Sequence, residues 1–162
     1  MNTVFTKNTR FMTGSFESIV LSDIIDRIDD FLCDGYEYSI EIGTDSQRGG
    51  NKVKFVTAIV VHKKGKGGIF FYHPVISDNI HNLSDRIYME TGMSINCATV
   101  LLDLFVQNNV LHNITIHCDV GENGKTKELI KGIIGYVTSA GFPCLIKPDA
   151  TTASCIADRF SK

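Results

Sequence analysis

Four acidic residues, Asp45, Glu90, Asp119 and Asp149, fall where predicted elements begin, end or turn inward. Asp45 follows a predicted strand at 38–42, and Asp119 closes another at 114–118. Asp149 lies between a last strand and a terminal helix, and Glu90 is carried on a helix between the two sheet halves. Strand ends in an α/β sheet are where sites gather, because the sheet holds the following loops rigidly. Carboxylates converge only if positive charge offsets their repulsion. Hard divalent cations do this, since Mg²⁺ and Mn²⁺ prefer oxygen ligands. Two such ions about 4 Å apart can activate a water and stabilise the leaving oxygen of a phosphodiester. That chemistry requires acids but not a basic protein. Taken singly, each acid also reads as a solvated or capping group. Asp149 suits the cap of the terminal helix, and Glu90 suits a surface pair with Arg86, four residues earlier.

Several neighbours could serve a substrate. Ser46 and Gln47, beside Asp45, can hydrogen-bond a phosphate or a sugar, or simply shape a turn. Lys125 and Thr126 open a predicted helix behind a Gly-containing loop, an arrangement that suits a phosphate; the spacing is not that of a Walker motif. Lys147, close to Asp149, can steady a phosphate or stand in solvent. Lys63, Lys64 and Lys66 cluster in a turn and read more readily as solvated than as a nucleic-acid contact. His117 shares a strand face with Asp119 and reads more readily as a packed histidine than as a group supporting a metal. His62, His73 and His81 read as strand-end and loop residues.

The elements that must position these groups follow from periodicity. Residues 1–14 carry no period and read as an N-terminal arm ahead of a single domain at 15–162. Helical spacing covers 15–32, with Ile24, Ile25, Ile28, Phe31 and Leu32 facing inward and Ser22 able to cap a tighter helix. Strands follow at 38–42, 53–61 and 69–76, joined by tight turns, which implies an antiparallel meander. A helix at 84–107 offers Ile87, Met93, Ala98, Leu101, Leu102 and Phe105 to the core. A strand at 114–118, a helix at 125–140, a strand at 143–147 and a helix at 151–160 complete the chain. The strand–helix–strand unit should be parallel and right-handed. The expected architecture is α/β: a mixed five-stranded sheet, three strands antiparallel and two parallel, flanked by helices.

Composition bounds the rest. The chain has 162 residues, 43% of them hydrophobic, enough to bury a core at this length. A net charge of −2 excludes a strongly basic nucleic-acid coat but not a nucleic-acid enzyme. No run of apolar residues approaches the roughly 20 needed to span a bilayer, and the first ten residues lack the apolar stretch of a signal peptide. A cytoplasmic protein without a membrane partner is the expectation. The five cysteines are odd in number and form no CxxC pair, which argues against a zinc knuckle and for reduced thiols.

The order of elements and acids resembles the ribonuclease H-like superfamily, and more closely its YkuK-like family of uncharacterised bacterial proteins. The residues that carry this likeness are Ile42-Gly43-Thr44-Asp45-Ser46-Gln47, Met89-Glu90-Thr91, His117-Cys118-Asp119-Val120-Gly121, Lys125-Thr126-Lys127-Glu128 and Ile146-Lys147-Pro148-Asp149. The tail matches too, at Ala153-Ser154 and 157–162, and the likeness runs from about Ser15 to the end. The resemblance implies that Asp45, Glu90, Asp119 and Asp149 are catalytic carboxylates holding two Mg²⁺ or Mn²⁺ ions. Asp45 would bridge both ions, Glu90 and Asp119 would hold the ion on the leaving-group side, and Asp149 the ion carrying the attacking water. It implies a metal-dependent nuclease acting on RNA, DNA or a hybrid. The other readings are a non-catalytic module that binds nucleic acid or protein on the same fold, and a phosphatase of small molecules. Ser46, Gln47, Lys125, Thr126 and Lys147 are the substrate-binding candidates. The residues leave the oligomeric state open.

Overall fold

Three long strands in the middle of the chain, the central one buried without break from Phe55 to Val61, are what everything else is arranged around. A computed structural model describes residues 5–78, 80 and 82–162. Strands β3 (Tyr38–Gly49), β4 (Lys52–Lys63) and β5 (Gly67–Asp78) pair antiparallel along their whole lengths, from Tyr38 opposite Lys63 to Gly49 opposite Lys52 and on to Asp78. On the other side of β3, β6 (Ile114–Cys118) pairs parallel, Ile40 opposite Ile114 and Gly43 opposite His117, and β7 (Cys144–Ile146) pairs parallel with β6.

The parallel pair and the antiparallel meander are as expected, but the sheet has seven strands where the sequence suggested five. The two additions come from the presumed arm and from the start of the presumed first helix. Strand β1 (Arg10–Thr13) joins the free edge of β5, and β2 (Ser18–Val20) pairs antiparallel with β1. Phe5 and Phe11 are fully buried there, with ring centroids 5.8 Å apart. Met1–Val4 of the arm, and His81, lie outside the described residues. Helix α1 is therefore shorter than expected, Leu21–Leu32; Ile24, Ile25 and Ile28 are buried as the period required, while Phe31 and Leu32 are half-buried.

Helices cover both faces. Helix α2 (Leu83–Gln107) packs with α1 and α3 (Ile130–Ser139) over the main apolar core. Its buried positions include Ile87, Met93, Ala98, Leu101 and Phe105; Leu104, not Leu102, completes the set. Among the described residues α2 alone is long and apolar enough to cross a membrane, yet more than half of that window is buried inside the protein. The helix expected at 125–140 opens with a 3₁₀ turn, Lys127–Leu129, and becomes α-helical only at Ile130.

Helix α4 (Thr152–Ser161) lies on the opposite face against β3, β4 and β5. Its seat is made of small side chains: Ala153 and Ala157 pack on Ala58 and Val60. At Gly43 a Cβ would stand 3.1 Å from the Ala153 Cβ and 3.3 Å from its carbonyl carbon. Glycine at that position is what lets α4 approach the sheet. The same glycine looks like a strand break in the sequence, yet β3 runs seven residues beyond Ile42, through Asp45, to Gly49.

Candidate metal centre

The β3–β6 ladder stops at Gly43 and His117; two residues further on lie Asp45, still within β3, and Asp119, one residue past the end of β6. Because β3 continues past the end of β6, its edge is open there, and side chains from both helical layers reach it. Glu90 comes from α2. Its carboxyl is buried, and its Oε1 accepts a hydrogen bond from the Ser46 hydroxyl at 2.5 Å. Arg86, one turn earlier on α2, donates from Nε to the same hydroxyl and from a terminal nitrogen to the Ser46 carbonyl, both at 3.1 Å. Arg86 thus reaches Glu90 through Ser46. From the other face, the Ser161 hydroxyl of α4 donates to Asp45 Oδ2 at 2.9 Å.

The electrostatics follow from this crowding. Burial, with Asp45 and Asp119 as like charges, pushes the Glu90 carboxyl up to about 8, against the Ser46 hydrogen bond and Arg86. Asp45 is raised as well, first by burial and then by Asp119 and Asp158, with the Ser161 hydroxyl opposing. Two ammonium groups meet the cluster. Lys147 Nζ stands 2.5 Å from Asp119 Oδ1, and Lys162 Nζ 2.7 Å from Asp158 Oδ2. Both lysines are held above their ordinary values, each chiefly by its hydrogen bond to the partner carboxylate. An open cleft of about 530 Å³, lined by Asp119, Lys147, Thr151, Ser154 and Asp158 among others, runs alongside.

Asp45, Glu90, Asp119 and Lys147 are gathered at one place, the acids acting on one another and Lys147 on Asp119. Asp149 is not. It is exposed in the turn ahead of α4, where its N–H donates to the Ile146 carbonyl at 2.9 Å. The fourth acid at the cluster is Asp158, which sequence reading passed over. Its signals are its place in the matching tail at 157–162 and helical spacing, since Ser154, Asp158 and Ser161 share a flank of α4 beside the small-residue stripe of Ala153 and Ala157. Ser46 is buried, and its hydroxyl is engaged with Glu90 and Arg86. Thr126 accepts from the Gly121 N–H at 3.2 Å and so braces the loop that follows Asp119. Gln47 and Lys125 are exposed, at the end of β3 and in the turn before α3. Lys63, expected in a solvated turn, is buried against Asp34 at 2.5 Å and over the Phe31 ring. His117 is a packed histidine. It is buried, its Nδ1 is 3.8 Å from Glu41 Oε2, and burial lowers its pKa.

The donors at the cluster are all hard oxygens, the type that suits Mg²⁺ or Mn²⁺. Their chemistry also fits a cation, because crowded like charges, which add to burial in raising the pKa values of Asp45 and Glu90, are what a cation relieves. Their spacing here is that of an ion-paired cluster. Among the described residues no three His, Cys, Asp or Glu side chains are gathered as a ligating set.

The ribonuclease H-like family profile matches residues 21–162. This chain belongs to the ribonuclease H-like family. It is also 35% identical to the uncharacterized protein YkuK of Bacillus subtilis (strain 168), in a match covering 94% of this chain and 96% of that protein. No solved structure matches significantly.

Proposed function

We propose that this chain is a divalent-cation-dependent hydrolase of nucleic-acid phosphodiesters. The observation that carries the reading is the convergence of Asp45, Glu90, Asp119 and Asp158 from β3, α2, the end of β6 and α4, with Glu90 raised to about 8. A family of ribonuclease H-like fold supports a nucleic-acid role at the coarse level. Asp45, Glu90 and Asp119 would hold Mg²⁺ or Mn²⁺, with Asp158 in the fourth position. When bound, such ions polarise a phosphoryl oxygen and lower the pKa of water.

The chain's own residues set up that site. The Ser46 hydroxyl fixes the Glu90 carboxylate, and the Ser161 hydroxyl fixes Asp45. Lys147 has more than half of its side chain exposed to the cleft. It orients an incoming phosphate there once its hold on Asp119 is released. The substrate is RNA, DNA or a hybrid of the two.

One observation favours a second reading. With Lys147 and Lys162 on two of the four acids, and no ligating set of three among the described residues, the cluster is partly neutralised without a metal. A non-catalytic module that binds nucleic acid or protein would look the same. Labelled single strands, duplexes and a hybrid, each incubated with Mg²⁺, Mn²⁺ or chelator beside Asp45→Asn, separate the two. Cutting that needs metal and disappears in the variant is the expected result. Retained binding without cutting under any condition, and no Mn²⁺-dependent rise in Tm, would favour the module.

A further inference from the structure

Four of the five cysteines lie on or beside elements that carry the cluster's residues, but two of them make a pair. Cys118 ends β6 and Cys144 begins β7, and their sulfurs are 3.9 Å apart. In the ladder Cys118 stands opposite Ile146 and Ile116 opposite Cys144, so the two thiols are diagonal neighbours on one face of the sheet. Cys118 is buried and Cys144 half-exposed, so only one of them meets solvent readily. Cys97 is deep in the core, and Cys33 and Cys155 are exposed elsewhere.

We propose that Cys118 and Cys144 form a reversible disulfide when the protein meets a hydroperoxide, with Cys144 reacting first and Cys118 resolving. The exposure of the pair fits this division: the half-exposed Cys144 sulfur is the one a peroxide reaches, and the buried Cys118 sulfur, 3.9 Å away, is placed to resolve it. The Cys144 thiolate attacks one peroxide oxygen and the O–O bond breaks. Sulfenic acid forms at Cys144, and the other oxygen leaves as alcohol or water after taking a proton. The Cys118 sulfur then attacks the sulfenic sulfur. The S–O bond breaks and water leaves with the Cys118 proton. Two thiols lose two electrons, and the peroxide gains them.

Bond formation requires the sulfurs to close from 3.9 Å to about 2 Å. The strand that must yield is β7, three residues long and at the edge of the sheet. The bond would tie together the strands leading into Asp119 and Lys147, so it also bears on the cleft between them.

Intact-mass spectrometry of the full chain, titrated with hydrogen peroxide and then with dithiothreitol, tests this. The expected result is loss of two hydrogens, reversal by the dithiol, and a single linked peptide pair joining Cys118 to Cys144. In Cys118→Ala, dimedone should label Cys144; in Cys144→Ser, the loss of two hydrogens should vanish. The half-exposed Cys144 position tolerates serine, so that variant decides the matter even if Cys118→Ala does not fold. Addition of oxygen without loss of hydrogen in the wild type would overturn the proposal. So would a link to Cys33, Cys97 or Cys155, or an unchanged mass at excess peroxide.

Discussion

Glu90 binds its proton more tightly in the folded chain than in the unfolded one. In chelator the folded protein keeps that proton up to about pH 8, whereas the unfolded chain releases it near the ordinary value of 4.5. Between those values the native state holds more protons than the unfolded state, so stability falls as pH rises. Asp45, also raised, adds to the fall at its acidic end. Melts in chelator should therefore show Tm decreasing from about pH 5 to about pH 8, and Glu90→Gln should flatten the profile. A Tm that rises across this window would contradict the assignment of Glu90 as a crowded, buried acid. At this scale the sequence was partly legible. Asp45 and Asp119 stand out by type and by place at predicted strand ends, and Glu90 by its place on the intervening helix; in the fold their charges act on one another. Asp149 stands out for the same reason and does not join them, because a turn residue beside a helix start can face solvent as easily as a cleft. Asp158 is one acid among several helical polar residues. Only the docking of α4 on the sheet turns it toward Asp45.

The docking of α4 rests on Gly43, Ala58, Ala153 and Ala157, a contact with no room to spare. Gly43→Val should overpack it and cost about 1–3 kcal/mol, readable as a lower urea midpoint. Because α4 carries Asp158 and Ser161, cation binding at the cluster should weaken as well, which Mn²⁺ titration would reveal. A variant as stable as the wild type would show that α4 has another seat. At the far edge, Phe11→Ala removes a fully buried ring from the β1–β5 junction. Its expected cost is about 3–5 kcal/mol by denaturant unfolding; a cost near zero would mean that β1 contributes little to the fold. The long elements could be read from periodicity, since 12-residue strands and a 25-residue helix repeat their pattern several times. The four-residue β1 and three-residue β2 do not. They are strands because β5 offers them an edge, which is a property of the assembled sheet. The same holds for β3, whose internal glycine reads locally as a stop and is explained only by the helix above it.

On the scale of the whole molecule, the proposed function asks an acidic chain to handle a polyanion. Its formal charge of −2 gives no broad electrostatic attraction to nucleic acid. Binding must therefore rely on local cations: Lys147 and Lys162 at the cluster, and the divalent ions that four carboxylates invite. The mixed sheet makes this possible by ending β6 early, so that acids from both helical layers reach the exposed edge of β3 together. The most direct test compares metal-dependent cleavage rates of three variants, Asp45→Asn, Asp158→Asn and Asp149→Asn, at matched stability. Asp45→Asn and Asp158→Asn should each lose on the order of a hundredfold or more, while Asp149→Asn stays within about twofold of wild type. Full activity in Asp45→Asn, or a loss in Asp149→Asn with Asp158→Asn unaffected, would contradict the account.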